Sequence, residues 1–201
     1  LSLAEGGLIG VEDAAGAVSS AIRVFGLSGE EAATTADRLL KITNLMSLQA
    51  NDLTLALGTV SSGAGQTAQN MNEMLVAMGL VKNAGLDTSV AASSVSSALQ
   101  FMAKNSEDFS DRLGVSVTNA DGTFRDFIDV VMDADKALGE RFTSQAERAT
   151  VGLELFGRFG VTAFQNVATQ IKNGVRNAEG DLLRGADAVA YLRDQLASAE
   201  G

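Results

Sequence analysis

The sequence predicts an all-α protein of about eight short amphipathic helices with glycine-rich joints. The chain has no proline in its 201 residues, so the strongest helix breaker is missing. Glycine stands between many of the stretches in which apolar residues repeat at helical spacing. Hydrophobic residues make up 46% of the chain but aromatic residues only 5%, which favours thin helix–helix interfaces of Ala, Leu, Val and Met.

The first two helices are predicted from their apolar spacing and from signals at their ends. Residues 11–25 place apolar side chains on one helical face, and Gly26 ends this helix. Ser28 and Glu31 have the spacing of a capping box, in which each residue satisfies a backbone N–H of the first turn. A second helix is therefore expected over residues 29–45.

The third, fourth and fifth helices follow from the same kind of signal. Ser47 is placed to cap a third helix, which the small residues 61–65 are expected to break. A fourth helix is predicted over residues 67–83. Asp87 or Thr88 then begins a fifth helix.

The helical pattern is interrupted once in the second half of the chain. Residues 115–125 alternate apolar and polar side chains around a turn, which predicts a small β-hairpin or an extended loop. After a further helix, Gly157 and Gly160 flank a predicted sharp joint. The last two helices are expected over residues 161–177 and 181–199.

The organisation of the chain is predicted from a composition shift near Ser106. This shift divides an N-terminal helical part, residues 1–105, from a C-terminal helical part with the hairpin, residues 106–201. The first residue is Leu rather than Met, from which we expect a fragment of a longer product. No basic segment precedes an apolar one at the start, so no signal peptide is predicted.

Composition argues against several classes of function. The chain has no His and no Cys, so the usual nucleophile–base pairs and transition-metal sites cannot be built. We therefore predict no catalytic, cofactor-binding or metal-binding residues, and no cofactor. The 15 basic and 25 acidic residues give a formal charge of −10, and no basic cluster is evident. Specific binding of nucleic acid by this segment is therefore not expected.

Two short motifs fail on their chemistry. With Gly122 as the sixth position of a calcium loop, the first and twelfth positions are Val117 and Ile128, and neither can supply a carboxylate. Residues 58–63 have the glycine spacing of a phosphate-binding loop, but Ala64 stands where the lysine belongs. A turn and a helix break are the predictions at these two places.

Three groups of side chains leave two interpretations each. The first is predicted as a solvated acidic face, with a carboxylate pair for glycoside cleavage as the alternative: Asp126, Asp129, Asp133 and Asp135. The second is predicted as core, with an adaptable partner surface as the alternative: Met71, Met74 and Met78. The third is either a tight packing seam or an exposed polar face: Ser93, Ser94, Ser96 and Ser97.

Five phrases of the chain form an ordered set: residues 25–32, residues 36–39, the small residues 61–65 leading into residues 74–86, residues 113–126, and residues 156–160 with Ala163. Together they extend over about residues 6–173. In their order and spacing, these phrases resemble the core region of the phage tail tape-measure protein family.

This resemblance implies a virion structural protein without enzymatic activity. Such a protein helps to set tail length, lies inside the tail tube or at the tail tip, and leaves before DNA ejection. It is assembled into the tail in the host cytoplasm. The implied partners are further copies of the chain, as in a trimer, and the tail tube, distal tail and baseplate hub proteins. Contact with the host membrane is implied only for other parts of the full chain.

The residues by themselves leave two other functions open. One is a bacterial helical interaction module or export partner, which the many short helices also fit. The other is a carboxylate-based cell-wall hydrolase, which would use Asp126 and Asp129.

Overall fold

The computed structural model describes residues 11–46 and 53–198, and these are mainly helical. This confirms the all-α prediction. The helices are α1 (Val11–Phe25), α2 (Ala32–Met46), α3 (Leu53–Thr67), α4 (Met71–Asn83), α5 (Thr88–Lys104), α6 (Phe127–Arg141), α7 (Gln145–Asn173) and α8 (Gly185–Ala197). A 3₁₀ turn, Gly29–Glu31, precedes α2, and a helical turn, Ser106–Asp108, runs into a π-turn, Phe109–Leu113. Two short strands, β1 (Val175–Arg176) and β2 (Leu182–Leu183), pair antiparallel before α8.

The first two helices lie where the sequence predicts them, although residues 29–31 form a 3₁₀ turn and α2 extends over Ala32–Met46 rather than over residues 29–45. Helix α1 has the predicted bounds, and Gly26 follows it with a left-handed backbone (φ +65°). The capping box is present, because the Ser28 N–H donates to the Glu31 carboxylate at 2.7 Å. Hydrogen bonds from Ser28 hold the pKa of the Glu31 carboxyl below its usual range. The predicted cap Ser47 lies outside the described residues.

Helix α3 contradicts the predicted break at residues 61–65, because it continues to Thr67. Gly63 does not end the helix but brings it close to α5: a Cβ at Gly63 would lie 2.6 Å from the Ser96 carbonyl oxygen. The break comes at Ala68 (φ +50°), and α4 begins at Met71 rather than at residue 67. Tertiary packing thus outweighs the weak helix propensity of glycine here.

Helix α5 is the centre of the core, since its broadest contacts are with α3 and with α7. Gly160 of α7 repeats the role of Gly63: a Cβ there would lie 2.6 Å from the backbone of Ala98. The α4 methionines Met71, Met74 and Met78 are buried, which confirms them as core. One cluster of buried apolar side chains extends across residue 105, and the division into two parts stays a prediction.

The predicted joint near Gly157 is confirmed as a kink inside α7. Gly157 has φ +72° and ψ 169°, which interrupts the helix between Gln145 and Asn173. A Cβ at Gly157 would lie 2.6 Å from the Phe101 ring, so both the backbone angle and the space favour glycine. The Phe156 ring packs on Phe109 edge to face and stacks on Phe164, with centroids 5.0 and 4.4 Å apart.

The C-terminal region differs from the prediction. The helix expected over residues 161–177 ends at Asn173, because Gly174 (φ +98°) redirects the chain into the hairpin of β1 and β2. At the hairpin predicted over residues 115–125, a turn is closed by a single bridge between Thr118 and Phe124. Helix α8 begins at Gly185 instead of residue 181, and its predicted last residue lies outside the described part.

Candidate functional site

Helix α6 begins at a cluster of polar side chains that we call the α6 junction: Gln69, Glu73, Asp126, Asp129 and Arg193. The N-cap residue Asp126 makes no capping hydrogen bond of its own. Instead, the Phe127 N–H donates to Gln69 Oε1 at 2.9 Å, and the Ile128 N–H donates to Glu73 Oε1 at 2.8 Å. The first N–H groups of α6, which have no partner within the helix, are therefore satisfied by side chains that stand 58 and 55 positions earlier in the chain.

Arg193 of α8 closes the α6 junction. Glu73 is only 2% exposed, and its carboxylate accepts Arg193 Nε at 3.0 Å and Nη2 at 3.1 Å. Arg193 Nη1 donates to Asp129 Oδ1 at 3.1 Å, and Nη2 lies 3.7 Å from Asp126 Oδ2. One planar guanidinium thus links α4, α6 and α8 in the fork geometry that favours arginine over lysine.

Burial and ion pairing shift the pKa values of the charged groups at the α6 junction in opposite directions. Burial raises the pKa of the Glu73 carboxyl, and the hydrogen bonds from Arg193 and from the Ile128 N–H oppose that rise. For Arg193, burial by itself would lower the pKa, but the bonds to Glu73 and Asp129 outweigh it and raise the pKa. Arg193 is therefore a permanent cation that holds three carboxylates.

The predicted acidic face on α6 is about half exposed at Asp126, Asp129 and Asp133, which agrees with a solvated face, but all four aspartates are also ion-paired. Asp126 and Asp129 share Arg193. Asp133 Oδ2 lies 2.6 Å from Arg125 Nη2, and Asp135 pairs with Lys172 of α7. The pairs with Arg193 and Lys172 tie α6 to α8 and α7.

The other predicted groups are placed as follows. Ser94 and Ser96 are buried on α5, and Ser96 Oγ lies 3.0 Å from Ser62 Oγ of α3, whereas Ser93 is exposed. The serine face is thus a packing seam on one side and a solvent face on the other. In the turn around Gly122, whose sequence does not fit a calcium loop, the Thr123 N–H and hydroxyl donate to the Asp121 carboxylate. These hydrogen bonds lower the pKa of that carboxyl. Residues 58–63 lie within α3 rather than in a phosphate-binding loop.

Sequence reasoning missed Gln69, Glu73 and Arg193. The available signal is that Glu73 is the only acidic residue of α4, whose residues 73–81 are all buried. A charged residue in such a run requires a partner. That partner stands 120 positions later, at a place that helical spacing within one element cannot identify.

Among the residues that the structure describes, no group of three or more His, Cys, Asp or Glu is arranged to hold a metal ion. The helices in this part of the chain also include none that is long and apolar enough to cross a membrane. The α6 junction joins α4, α6 and α8 by ion pairs and hydrogen bonds.

Comparison with known proteins gives one family. The model of the phage-related minor tail protein family matches residues 1–157, which extend from the N-terminus to the kink in α7 and cover more than half of the chain. No curated protein and no solved structure matches the chain. The extent of this match shows that the chain belongs to the phage-related minor tail protein family.

Proposed function

We propose that this chain is a segment of a tail tape-measure protein. In this role it helps to set tail length, lies inside the tail tube or at the tail tip, and leaves ahead of the DNA. The observation that carries the proposal is where the tape-measure-like phrases fall. Gly26, Gly85, Gly122 and Gly157 lie in or beside these phrases, and each has a left-handed backbone that ends, turns or kinks the chain.

The packing supports a mechanical role. The core joins helices through small side chains and backbone, as at Gly63 and Gly160, and only 5% of the residues are aromatic. Aromatic side chains contribute most per residue to core burial, so a core with few of them unpacks at lower cost. A chain that leaves through a narrow tube has to unpack in this way.

The charge supports passage beside DNA. A net charge of −10 repels the phosphate backbone, and Arg193, the arginine of the α6 junction, is already occupied by carboxylates. For the same reason we propose protein partners rather than nucleic acid. These partners are further copies of the chain, arranged as a closed trimer around the tail axis, and the tail tube, distal tail and baseplate hub proteins.

The test is an in-frame deletion of this segment in the parent phage, followed by electron microscopy of the tails. A helix extends by 1.5 Å per residue, so 201 residues account for at most about 300 Å of tail, the length reached only if the packed helices open into one continuous helix along the tube. Shorter tails, or capsids without tails, are the expected result. Infectious particles with tails of normal length overturn the proposal.

The release step is tested separately on the same phage. Tails are purified before and after DNA ejection is triggered, and peptides of this chain are quantified by mass spectrometry relative to the tail tube protein. The expected result is loss of these peptides after ejection. Full retention in the emptied tails contradicts release.

A further inference from the structure

The hairpin of β1 and β2 lies outside the core that the helices form. From Lys172 to Asp187, a stretch that the structure describes in full, no residue is buried. The last buried residue of α7 is Ile171, and the next buried residue along the chain is Ala188 of α8. The segment between them contributes no fully buried side chain to the core, although Val175 lies half-buried against it.

Hydrogen bonds within the hairpin hold its turn together. Arg176 Nη1 donates to the Gly180 carbonyl oxygen at 2.8 Å. The Asp181 N–H donates to Asn177 Oδ1 at 2.7 Å. Gly174, with φ +98°, separates α7 from the hairpin. A change of the backbone angles at this glycine therefore moves the hairpin together with α8 and leaves these bonds intact.

Helix α8 packs on the rest of the molecule through one stripe of side chains. It contacts α2, α4 and α7, and its buried residues repeat at helical spacing: Ala188, Val189, Leu192 and Leu196. Beside this stripe, Lys41 Nζ of α2 donates to the exposed Ser198 Oγ at 3.1 Å. Helix α5, in contrast, lies among α3, α4 and α7. The backbone of α5 reaches solvent only when those helices separate, whereas α8 reaches solvent when a single stripe separates.

Arg193 supplies the ion pairs that hold α8 in place. It binds the buried carboxylate of Glu73 on α4 and the half-exposed carboxylates of Asp126 and Asp129 at α6. Without Arg193, the Glu73 carboxylate would stay buried and unpaired, which favours a state in which α8 has moved away and water reaches Glu73. The first N–H groups of α6 bind Gln69 and Glu73 rather than α8. Helices α4 and α6 therefore stay joined when α8 leaves.

We propose that residues 174–198, which we call the C-terminal latch, open as one unit while α1–α7 stay folded, and that the ion pair between Arg193 and Glu73 keeps the latch closed. Such an opening is a sub-global unfolding, in which one supersecondary unit is released at a lower free energy than the whole fold. In the proposed function the chain unpacks before it leaves the tube, and the latch is the part that opens first. This order rests on the proposed function, whereas the opening itself rests on the packing of the latch.

The test is native-state hydrogen exchange of this chain, followed by mass spectrometry at several urea concentrations below the unfolding transition. The amides of α8 are expected to exchange faster than those of α5 and with a smaller dependence on urea, because opening of the latch exposes less surface than global unfolding. Equal protection and equal urea dependence of α8 and α5 overturn the proposal, since α8 then opens only with the whole fold.

Three variants separate the latch from the rest of the molecule. Arg193→Ala is expected to speed exchange in α8 by about tenfold to a hundredfold, because it removes hydrogen bonds between charged groups. Its matched control is Arg184→Ala, at an exposed arginine just before α8, which should change this rate less than about twofold. Gly63→Ala weakens the contact between α3 and α5. It should speed exchange in α5 but not in α8, because α3 and α5 stay packed when the latch opens.

Two further outcomes would overturn the proposal. One is an effect of Arg193→Ala on exchange in α8 that is no larger than the effect of Arg184→Ala. The other is acceleration of α5 and α8 by the same factor in Gly63→Ala. Circular dichroism establishes that each variant is folded, and if Gly63→Ala does not fold, the comparison of α8 with α5 in wild type decides. All of these measurements use this chain by itself, so their failure and the failure of the tail-length experiment are distinguishable.

Discussion

Helices are joined in two different ways in this molecule. Around α5, the joints depend on missing side chains: Gly63 and Gly160 let α3 and α7 approach the α5 backbone, where the nearest atoms belong to the uncharged residues Ser96, Leu99 and Ala98. At the α6 junction, the joint depends on buried polar groups: Glu73 caps α6 and binds Arg193 of α8. The first joint is controlled by shape, so it is indifferent to pH, whereas the second is controlled by protonation and hydrogen bonding.

The same contrast appears within α3. Gly58 lies one and a half turns before Gly63, and a Cβ at Gly58 would meet nothing within 4 Å. Its backbone is helical and exposed. Two glycines of one helix therefore differ only in whether another backbone lies against them, which makes them a matched pair for experiment.

The largest expected effect is at the glycine seam. Gly63→Ala and Gly160→Ala each force a methyl group against the α5 backbone, and each is expected to lower the free energy of unfolding by roughly 2–3 kcal/mol. Gly58→Ala is the control and should raise it by about 0.5–1 kcal/mol, since alanine favours the helix. Urea denaturation measures all three. Similar values for Gly63→Ala and Gly58→Ala would show that α3 and α5 are not in close contact.

The next largest effect is at the α6 junction. Glu73→Ala leaves the Ile128 N–H without its acceptor and removes the buried partner of Arg193. It should destabilise the fold by about 2–3 kcal/mol. Glu73→Gln keeps an acceptor oxygen and should cost less. In a double-mutant cycle with Arg193→Ala, we expect coupling, because the two residues share one set of bonds. If the two substitutions change the free energy of unfolding additively, Glu73 and Arg193 do not act as a pair.

The smallest expected effect is that the contributions of Glu73 and Glu31 to folding stability change with pH in opposite directions. Burial raises the pKa of Glu73 above the ordinary value of 4.5, so its contribution to stability is fully present below 4.5 and is lost as the pH rises through the folded-state pKa. Hydrogen bonds lower the pKa of Glu31, so its contribution is present above 4.5 and is lost as the pH falls through the folded-state pKa.

The measurement compares wild type with Glu73→Gln and with Glu31→Gln by urea denaturation from acid to neutral pH. The stability of wild type relative to Glu73→Gln should fall as the pH rises. Its stability relative to Glu31→Gln should increase over the same range. Two differences of the same sign would show that burial does not dominate at Glu73.

Local patterns in the sequence determined much of the fold. Apolar spacing, the Ser28–Glu31 capping box and the turn-forming glycines are short-range features, and they predicted the bounds of α1, the start of α5 and the kink at Gly157. These signals succeed because the unpaired backbone groups at a helix end are usually hydrogen-bonded by residues within a few positions, and a helix is ended by residues equally near. The resemblance to a phage tail protein family likewise came from phrases in the sequence, and the family match supports it at that level.

Only the tertiary structure decided what each special residue packs against. Glycine ends α7 at Gly174, where the chain turns with a positive φ. At Gly63 it lies within α3, where the backbone of α5 is at contact distance. The partners of Glu73 lie 55 and 120 positions away. Contacts at such separations depend on how the helices are arranged in space, and no pattern within one helix records that arrangement.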